Sequence, residues 1–343
     1  MTEQMQAAVL RGRGRLEVSA VPVPTLGAGE VLVAVDWCGV CGSDLHMVLE
    51  GWGAPGGWGG HEWTGRVVAV GPGVTRWAEG DAVVGGPSVR CGECRACQAG
   101  RPSLCEARDT PGIGPEQGAF ATYTRTREEE LLAVPEGLGS RAAALTEPLT
   151  VALHGITQSG VVPGQRVLVL GAGPIGALSI AALRALGVDD VTCAEPGDRR
   201  RALAATVGAT AVCHPDDLDV PSRAEPGRVV DGAVDVVLEC SGHAAAMEAG
   251  LAQLIPGGTL VLVGAGMASP RFDPNRILLN ELVVTGANCY DKDGFERALD
   301  LLVAGALPVD DLIEPEGVGL DGLLDAMHGL AEGRLAGKVL VQP

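Results

Sequence analysis

Residues 166–195, RVLVLGAGPIGALSIAALRALGVDDVTCAE, contain the pattern on which the fold prediction rests. Residues 167–170 form a short run of branched apolar side chains, which is typical of a strand buried on both faces of a parallel sheet. A glycine-rich turn follows at once, and a helix rich in Ala and Leu is predicted over 178–186, ending at Gly187. A second strand is predicted over 191–194. The order strand, glycine turn, helix, strand predicts a dinucleotide-binding unit.

The glycine turn matches the pattern G-x-G-x-x-G, in which each glycine has a physical role. The first permits the tight turn, the second lets the backbone approach a pyrophosphate, and the third lets the helix pack closely on the strand. The N-terminus of the helix then meets the phosphates. The predicted cofactor contacts of the turn are Gly171, Gly173, Pro174, Ile175 and Gly176.

The residues after the second strand bear on the choice of cofactor. Glu195 follows that strand, nineteen positions after Gly176. An acid at this place accepts hydrogen bonds from the adenosine ribose and repels a 2′-phosphate, which favours NAD over NADP. The arginines at 199–201, with Arg200 as the candidate cofactor contact, leave NADP open because they could pair with a 2′-phosphate. Stacking of an arginine on adenine is the other available role.

Length and charge limit the classes to which the chain can belong. Its 343 residues suffice for two domains, and the formal net charge is -18 at pH 7. The basic residues are scattered apart from two arginine triplets, so neither a nucleic-acid surface nor a membrane surface is predicted. No apolar signal segment is visible, and glycines and a proline interrupt the longest apolar run. We therefore expect a soluble, cytoplasmic protein that binds small molecules.

Three separate segments carry side chains suited to one metal ion. Cys41 precedes Gly-Ser-Asp-Leu-His, and His61 follows fifteen residues after His46. Thiolate and imidazole are ligands that Zn²⁺ prefers, and a catalytic zinc site uses three protein ligands and one open position. Glu147 stands before a proline in an apolar segment, where a buried acid is costly without a partner. A metal ion would be a suitable partner.

A second metal site is predicted from four of the ten cysteines, which are spaced C-x2-C-x2-C-x7-C. Four thiolates of one loop can enclose a single Zn²⁺ ion, which leaves no position for a substrate and makes the site structural. An iron-sulfur cluster is the rival, but its spacing usually continues with three residues and Cys-Pro. The predicted ligands, in a lobe over about 88–108, are Cys91, Cys94, Cys97 and Cys105.

Five motifs occur in an order that resembles the zinc-dependent medium-chain alcohol dehydrogenases over nearly the whole chain. They are CGSDLH, GHExxG, the four-cysteine lobe, EPLxVAxH and the strand followed by GAGPIG. The resemblance is to the polyol, butanediol and threonine dehydrogenase branch, and it implies an α/β fold. A β-rich, GroES-like catalytic domain is expected over 1–147, and a Rossmann NAD-binding domain with a doubly wound parallel sheet over 148–288. Residues 289–343 are expected to return to the catalytic domain.

The same resemblance implies the ligands of the catalytic zinc. Cys41 and His61 match two of the family's ligands, and an acid is implied as the third. Glu147 stands where the liver-type enzymes have a cysteine, and Glu62 of the GHE motif can also approach or bind the ion. Both acids remain candidates, with Glu147 preferred. Asp44 matches the carboxylate that holds the zinc-binding histidine in its tautomer.

The resemblance further implies how proton and hydride move. Ser43, the cofactor ribose and His46 resemble, in this order, the family's proton relay, and an imidazole suits the last step because its unperturbed pKa is near neutral pH. Val263 and Gly264 stand where the family brings backbone close to nicotinamide. The implied cofactors are NAD and two zinc ions per subunit, one catalytic and one structural. A homodimer or homotetramer, joined through the strand at 282–285, is the implied assembly.

The predicted reaction is hydride transfer between a secondary alcohol and NAD, which gives the ketone. The implied substrate is a diol, a polyol or another hydroxy-substituted compound. An NADP-linked ketone reductase of a biosynthetic pathway is the alternative enzyme. A sensor that binds zinc or nucleotide without turnover is the non-enzymatic alternative.

Two further features have open interpretations. Cys38 is expected to be a core residue rather than a redox partner of Cys41. The glycine-rich segment 50–60 is either a flexible loop or a wall of the substrate pocket that carries Trp52 or Trp58.

Overall fold

The computed structural model describes residues 3–86, 90–108 and 117–343, which form two compact units. The first unit takes the described residues up to Pro148, together with Phe295–Gly305 and Ile313–Pro343. The second unit takes Leu149–Gly294 and Ala306–Leu312. Within the described ranges, no helix combines the length and the apolar character that crossing a bilayer requires.

The two units are built from strands and mostly short helices. The strands are β1 (Gln4–Gly12), β2 (Arg15–Pro22), β3 (Glu30–Gly39), β4 (Glu62–Val70), β5 (Ala82–Gly85), β6 (Tyr123–Arg127), β7 (Leu131–Ala133), β8 (Arg166–Leu170), β9 (Asp190–Ala194), β10 (Ala211–Cys213), β11 (Val234–Glu239), β12 (Leu254–Leu262), β13 (Val283–Gly286), β14 (Val318–Gly319) and β15 (Leu340–Gln342). The α-helices are α1 (Gly42–Leu45), α2 (Arg95–Gln98), α3 (Ser140–Ala143), α4 (Thr146–Ser159), α5 (Pro174–Ala185), α6 (Asp198–Thr206), α7 (Ala244–Ala252), α8 (Pro274–Leu279), α9 (Gly294–Val303), α10 (Val309–Leu312) and α11 (Leu323–Ala331).

The second unit contains a six-stranded parallel sheet in the order β10-β9-β8-β11-β12-β13. The direction of strand addition reverses between β8 and β11, which is the switch point where dinucleotides bind in doubly wound sheets. Helix α5 begins at Pro174, four residues before the predicted start at 178. Proline suits the first helical position because its φ is already fixed and its missing N–H would have no partner there.

The first unit is organised around strand β3. Its sheet has the order β14-β15-β3-β4-β5-β7, with β6 also pairing to β3, and β1 and β2 form a separate hairpin. Apolar side chains of β3, including Val31 and Val33, are buried with those of neighbouring strands. Strand β4 begins at Glu62, directly after His61, and Glu62 pairs with Gly39 at the end of β3. This register brings the segments around Cys41 and His61 to one corner of the sheet.

The chain re-enters the first unit later than the sequence predicts. The predicted return is at residue 289, whereas the structure places it at Phe295. Tyr290 is buried, and Asp291 lies 2.7 Å from Nδ1 of His154, so this segment packs within the second unit. The chain enters the second unit once more at Ala306–Leu312, where α10 packs on α5 and α6.

Candidate active site

Three predicted zinc ligands meet at the corner formed by the end of β3 and the start of β4. Ligand atoms of Cys41, His61 and Glu62 all lie within 4.8 Å of one another. Gly60 has a φ of +96°, and a Cβ there would lie 2.7 Å from the backbone N of Phe120. Only glycine fits this turn, which presents His61 toward Cys41.

Asp44 connects the two segments that carry these ligands. Its buried carboxylate accepts a 2.9 Å hydrogen bond from the backbone N–H of Cys41. Its other oxygen lies 4.0 Å from Nδ1 of His61. Burial raises the pKa of Asp44, while the nearby His61 opposes that rise. The structure thus places Asp44 where a carboxylate can orient the imidazole, with Nε2 left for a metal ion.

The corner carries more acidic than basic groups, and this suits a divalent cation. Desolvation disfavours protonation of His61, but Cys41, Asp44 and Glu147 outweigh it and raise the pKa of His61 well above its ordinary value. Burial raises the pKa of Glu147 to about 7, although His61 acts in the opposite direction. A sulfur, a nitrogen and a carboxylate oxygen are also the ligand types that Zn²⁺ accepts. The residues present therefore fit a zinc ion.

Glu62 is held by a residue that the sequence analysis missed. Nζ of the buried Lys338 lies 2.6 and 2.7 Å from the two carboxylate oxygens of Glu62, and it also donates to Val40 O at 3.1 Å. Strand β15 pairs antiparallel to β3, which carries Lys338 into this corner. Burial lowers the pKa of Lys338, but the charge of Glu62 and neighbouring acids raises it overall.

The two candidate third ligands differ in their surroundings. Glu62 is grouped geometrically with Cys41 and His61, although its charge is already shared with Lys338. Glu147 lies in the first turn of α4, where burial raises its pKa and the charge of His61 lowers it. It is not part of the 4.8 Å group. The preference for Glu147 drawn from the sequence therefore stays a prediction.

The predicted relay residues follow Cys41 in one short helical segment. Ser43 lies in α1, and His46 begins the π-helical turn His46–Glu50. The His46 ring stacks on Trp52 with centroids 4.8 Å apart and planes 16° apart, and its Nδ1 lies 2.9 Å from a carboxylate oxygen of Glu50. Residues three apart in a helix share one side, which places Ser43 and His46 on the same side of this segment.

Two residues with open interpretations belong to the core. Trp58 is buried with Met5 and Val9, and its indole N–H donates to Gly118 O at 3.0 Å. It also lines a small cavity together with Asp44 and Phe120, so its place on the wall of a substrate pocket stays a prediction. Cys38 is fully buried, and burial raises the pKa of its thiol well above the ordinary value. Trp52, in contrast, is 49% exposed and contacts the relay histidine.

The four clustered cysteines converge in a separate lobe. The sulfur atoms of Cys91, Cys94, Cys97 and Cys105 all lie within 4.8 Å of one another. Those of Cys91 and Cys105 are 3.5 Å apart, close to the roughly 3.8 Å expected between two thiolates on one tetrahedral zinc. Hydrogen bonds from backbone N–H groups lower the pKa of Cys94 to about 6. Residues 88 and 89 of the predicted lobe lie outside the described residues.

The predicted cofactor residues surround the carboxyl ends of the parallel strands. Gly171 has a φ of +87°, and Gly173 precedes α5, so the glycine turn runs directly into the helix N-terminus. The buried carboxylate of Glu195 accepts hydrogen bonds from the backbone N–H groups of Ala172, at 2.8 Å, and Gly197, at 2.9 Å. Arg200 is half-buried on α6 and follows Glu195 by five residues in the sequence.

Comparison with known proteins adds the family to this geometry. The model of the alcohol dehydrogenase GroES-like domain matches residues 27–136, and that of the zinc-binding dehydrogenases matches residues 174–304. The chain belongs to the zinc-dependent medium-chain alcohol dehydrogenase family. The predicted fold class, a GroES-like unit with a Rossmann sheet, is confirmed.

Similar proteins match the chain over nearly its whole length. Sorbitol dehydrogenase of Bacillus subtilis (strain 168) is 30% identical over 95% of this chain and 93% of the relative. The structure of 2R,3R-butanediol dehydrogenase from Bacillus subtilis has a TM-score of 0.86 at 30% identity and covers 99% of both chains. A protein assigned as a zinc-binding dehydrogenase from Sinorhizobium meliloti 1021, bound to NADP, has a TM-score of 0.86 at 33% identity over 100% of both chains.

These relatives settle the class of reaction. The chain is a zinc-dependent oxidoreductase of the alcohol dehydrogenase family, as the sequence predicts. The predicted use of zinc and of a nicotinamide cofactor agrees with the family.

Proposed function

We propose that this enzyme interconverts a secondary alcohol that carries further hydroxyl groups with its ketone, using NAD. The observation that carries the proposal is the group of Cys41, His61 and Glu62, whose ligand atoms lie within 4.8 Å of one another. An acid in place of a third thiolate is also what the sequence shares with the polyol and butanediol branch. The sorbitol and butanediol dehydrogenases among the relatives support a polyol or a diol as substrate.

The chain's own residues supply most of the mechanism. Cys41, His61 and one of the two acids would hold the zinc ion, which acts as a Lewis acid and makes a bound alcohol easier to deprotonate. The carboxylate of Asp44 lies 4.0 Å from Nδ1 of His61, where it favours the orientation that leaves Nε2 for the ion, and Lys338 compensates the charge of Glu62. The hydroxyl of Ser43 accepts the proton of the alcohol and passes its own on. Because Nδ1 of His46 faces Glu50, Nε2 is the atom that receives this proton.

We infer that NAD rather than NADP is the cofactor, and Glu195 supports this inference. Its carboxylate is fixed by two backbone N–H groups at the edge of the glycine turn, where it can accept hydrogen bonds from a ribose. A 2′-phosphate at the same place would meet a buried negative charge. The NADP-bound relative favours the second candidate, an NADP-linked ketone reductase, in which arginines of α6 would bind the 2′-phosphate.

The experiment that tests the proposal is a substrate and cofactor panel read by the absorbance of the reduced cofactor. Primary alcohols, secondary alcohols, vicinal diols, polyols and threonine are each offered with NAD⁺ and with NADP⁺, before and after chelator treatment. Chelator-sensitive NADH formation from a diol or polyol is expected. Turnover with NADP⁺ alone, or ketone reduction without any alcohol oxidation, would replace the proposal by the second candidate.

We propose that the four-cysteine lobe binds a second, structural zinc ion.

We also propose that the chain assembles as a homodimer or homotetramer. Strand β13 is the edge of the parallel sheet, and Leu278, Leu279 and Val283 beside or within it are 71%, 61% and 49% exposed. An edge strand with apolar neighbours supports pairing with a second copy. Both proposed zinc sites need reduced thiolates, which supports a cytoplasmic location. Light scattering after gel filtration tests the assembly, and a monomeric mass would reject it.

A further inference from the structure

Glu239 is a fully buried acid at the end of β11 that the sequence analysis did not single out. Its carboxylate accepts hydrogen bonds from the backbone N–H of Ser241 at 2.8 Å, from the Ser241 hydroxyl, and from the backbone N–H of Gly242 at 3.0 Å. Its backbone carbonyl accepts from Val263 and Gly264, at 2.8 and 2.9 Å. Glu239 therefore accepts hydrogen bonds from the loop after β11 through its side chain and from the loop after β12 through its backbone carbonyl.

The same loops are packed against the glycine turn without spare space. A Cβ on Gly171 would lie 2.8 Å from Cβ of Ser241, so the first glycine of the turn and Ser241 are in close contact. A Cβ on Gly264 would collide with the backbone N of Gly242, and one on Gly242 would collide with Ala265 O. A shift of the Ser241–Gly242 loop would therefore move all three loops.

The position of these loops indicates which half of a dinucleotide they would contact. A dinucleotide lies across the carboxyl ends of the strands at the switch point, with its pyrophosphate at the N-terminus of the first helix. Glu195 follows β9, on one side of β8, and marks the adenosine half. Strands β11 and β12 lie on the other side of β8, so the nicotinamide half faces the loops that Glu239 joins.

We propose that Glu239 is a positioning residue for the nicotinamide half of the cofactor. It fixes the backbone of residues 241–242 and 263–264 by hydrogen bonds, and it makes no contact with the cofactor itself. Without these bonds the two loops shift relative to each other, and the nicotinamide ring is bound less tightly. The binding of the adenosine half is unaffected. This inference rests on the proposed function because it requires a nicotinamide dinucleotide to bind here.

Strand β11, which ends at Glu239, provides a matched control at its other end. Asp235 lies near the start of β11, and its carboxylate accepts a 2.8 Å hydrogen bond from the backbone N–H of Arg166 at the start of β8. This contact also joins two neighbouring strands through an acid and a backbone N–H. It lies at the amino ends of the strands, away from the expected cofactor. Asp235→Asn therefore reports the structural cost of such a change alone.

The test compares the binding of NADH with that of ADP-ribose, which lacks nicotinamide, by calorimetry on the full-length enzyme. Glu239→Gln replaces an acceptor oxygen by an NH₂ group that faces backbone N–H donors. It is expected to weaken NADH binding about tenfold or more, since a hydrogen bond to a charged group is strong. Its affinity for ADP-ribose should change less than about threefold, and Asp235→Asn should change neither affinity.

The outcomes separate this inference from the proposed function. Equal weakening of both ligands by Glu239→Gln, or no weakening of either, would overturn the positioning role. Failure of the unaltered enzyme to bind NADH or ADP-ribose would instead reject the proposed function. If Glu239→Gln does not fold, Ser241→Ala takes its place, because it removes the hydroxyl donor and keeps the backbone. A loss of about threefold for NADH alone is then expected, and an unchanged ratio of the two affinities would overturn the inference.

Discussion

The ion pair between Lys338 and Glu62 offers a quantitative test of the candidate zinc site. Both side chains are almost fully buried, and Nζ lies 2.6 and 2.7 Å from the carboxylate oxygens. Lys338→Met keeps the unbranched stem and removes the charge, which leaves the Glu62 carboxylate buried without its partner. Removal of one member of a buried pair typically costs about 3–5 kcal/mol. We expect a loss of this size in the free energy of unfolding of the zinc-free protein.

The chain contains a suitable control and a suitable probe for this measurement. Arg15 is an exposed cation of the first unit, so Arg15→Met should change stability by less than about 0.5 kcal/mol. All five tryptophans, at positions 37, 52, 58, 63 and 77, belong to the first unit, so their fluorescence in a urea titration follows the unfolding of that unit. Lys338 and Glu62 belong to the same unit.

Two further results distinguish an ion pair from simple loss of packing. The double variant with Glu62→Gln should recover most of the stability, because a buried pair can often be replaced by neutral groups at little cost. Zinc should restore part of the stability of Lys338→Met, since a bound cation offers Glu62 another partner. An ion pair is ruled out if Lys338→Met is as stable as Arg15→Met, or if the double variant is as unstable as the sum of the single variants.

Three other changes test the remaining roles. Cys94→Ser should lower the zinc content by one ion and lower the melting temperature, while the turnover of the folded fraction is kept; an unchanged melting temperature would contradict a structural zinc. His46→Gln should lower kcat about 100-fold with unchanged zinc content and NADH affinity, and imidazole buffer should restore part of the rate; a normal kcat would remove His46 from the relay. Glu195→Ala should reduce the preference for NAD⁺ over NADP⁺ about tenfold, measured as the ratio of kcat/KM values, and an unchanged ratio would contradict its proposed contact with the ribose.

Features encoded in short stretches of sequence could be predicted, because their geometry depends on neighbouring residues. Strand β8, the glycine turn and β9 follow one another within thirty positions, and the four cysteines converge within one loop. Element ends were less accurate. The start of strand β12 at Leu254 is hidden in the sequence, because the first half of the strand contains Pro256 and two glycines that are typical of a turn.

Contacts between distant segments could not be predicted from local patterns. Lys338 reaches Glu62 across 276 positions, and only the pairing of β15 with β3 brings them together. The burial of Trp58 likewise depends on the packing of Met5 and Val9 from another strand. Glu239 is different, since its side chain bonds only two and three residues ahead. An acid that follows Val-Val-Leu and precedes Cys-Ser-Gly was the available signal.

The measurement that tests the central claim most directly is zinc content, NADH binding and alcohol oxidation in Cys41→Ser beside the unaltered enzyme. We expect two zinc ions per chain in the unaltered enzyme, one for each group of metal-binding side chains, and one in the variant. We also expect Cys41→Ser to bind NADH normally and to form no detectable NADH from any alcohol that the unaltered enzyme oxidises. Retained turnover in Cys41→Ser, or an unchanged zinc content, would contradict the assignment of catalysis to this corner of the sheet.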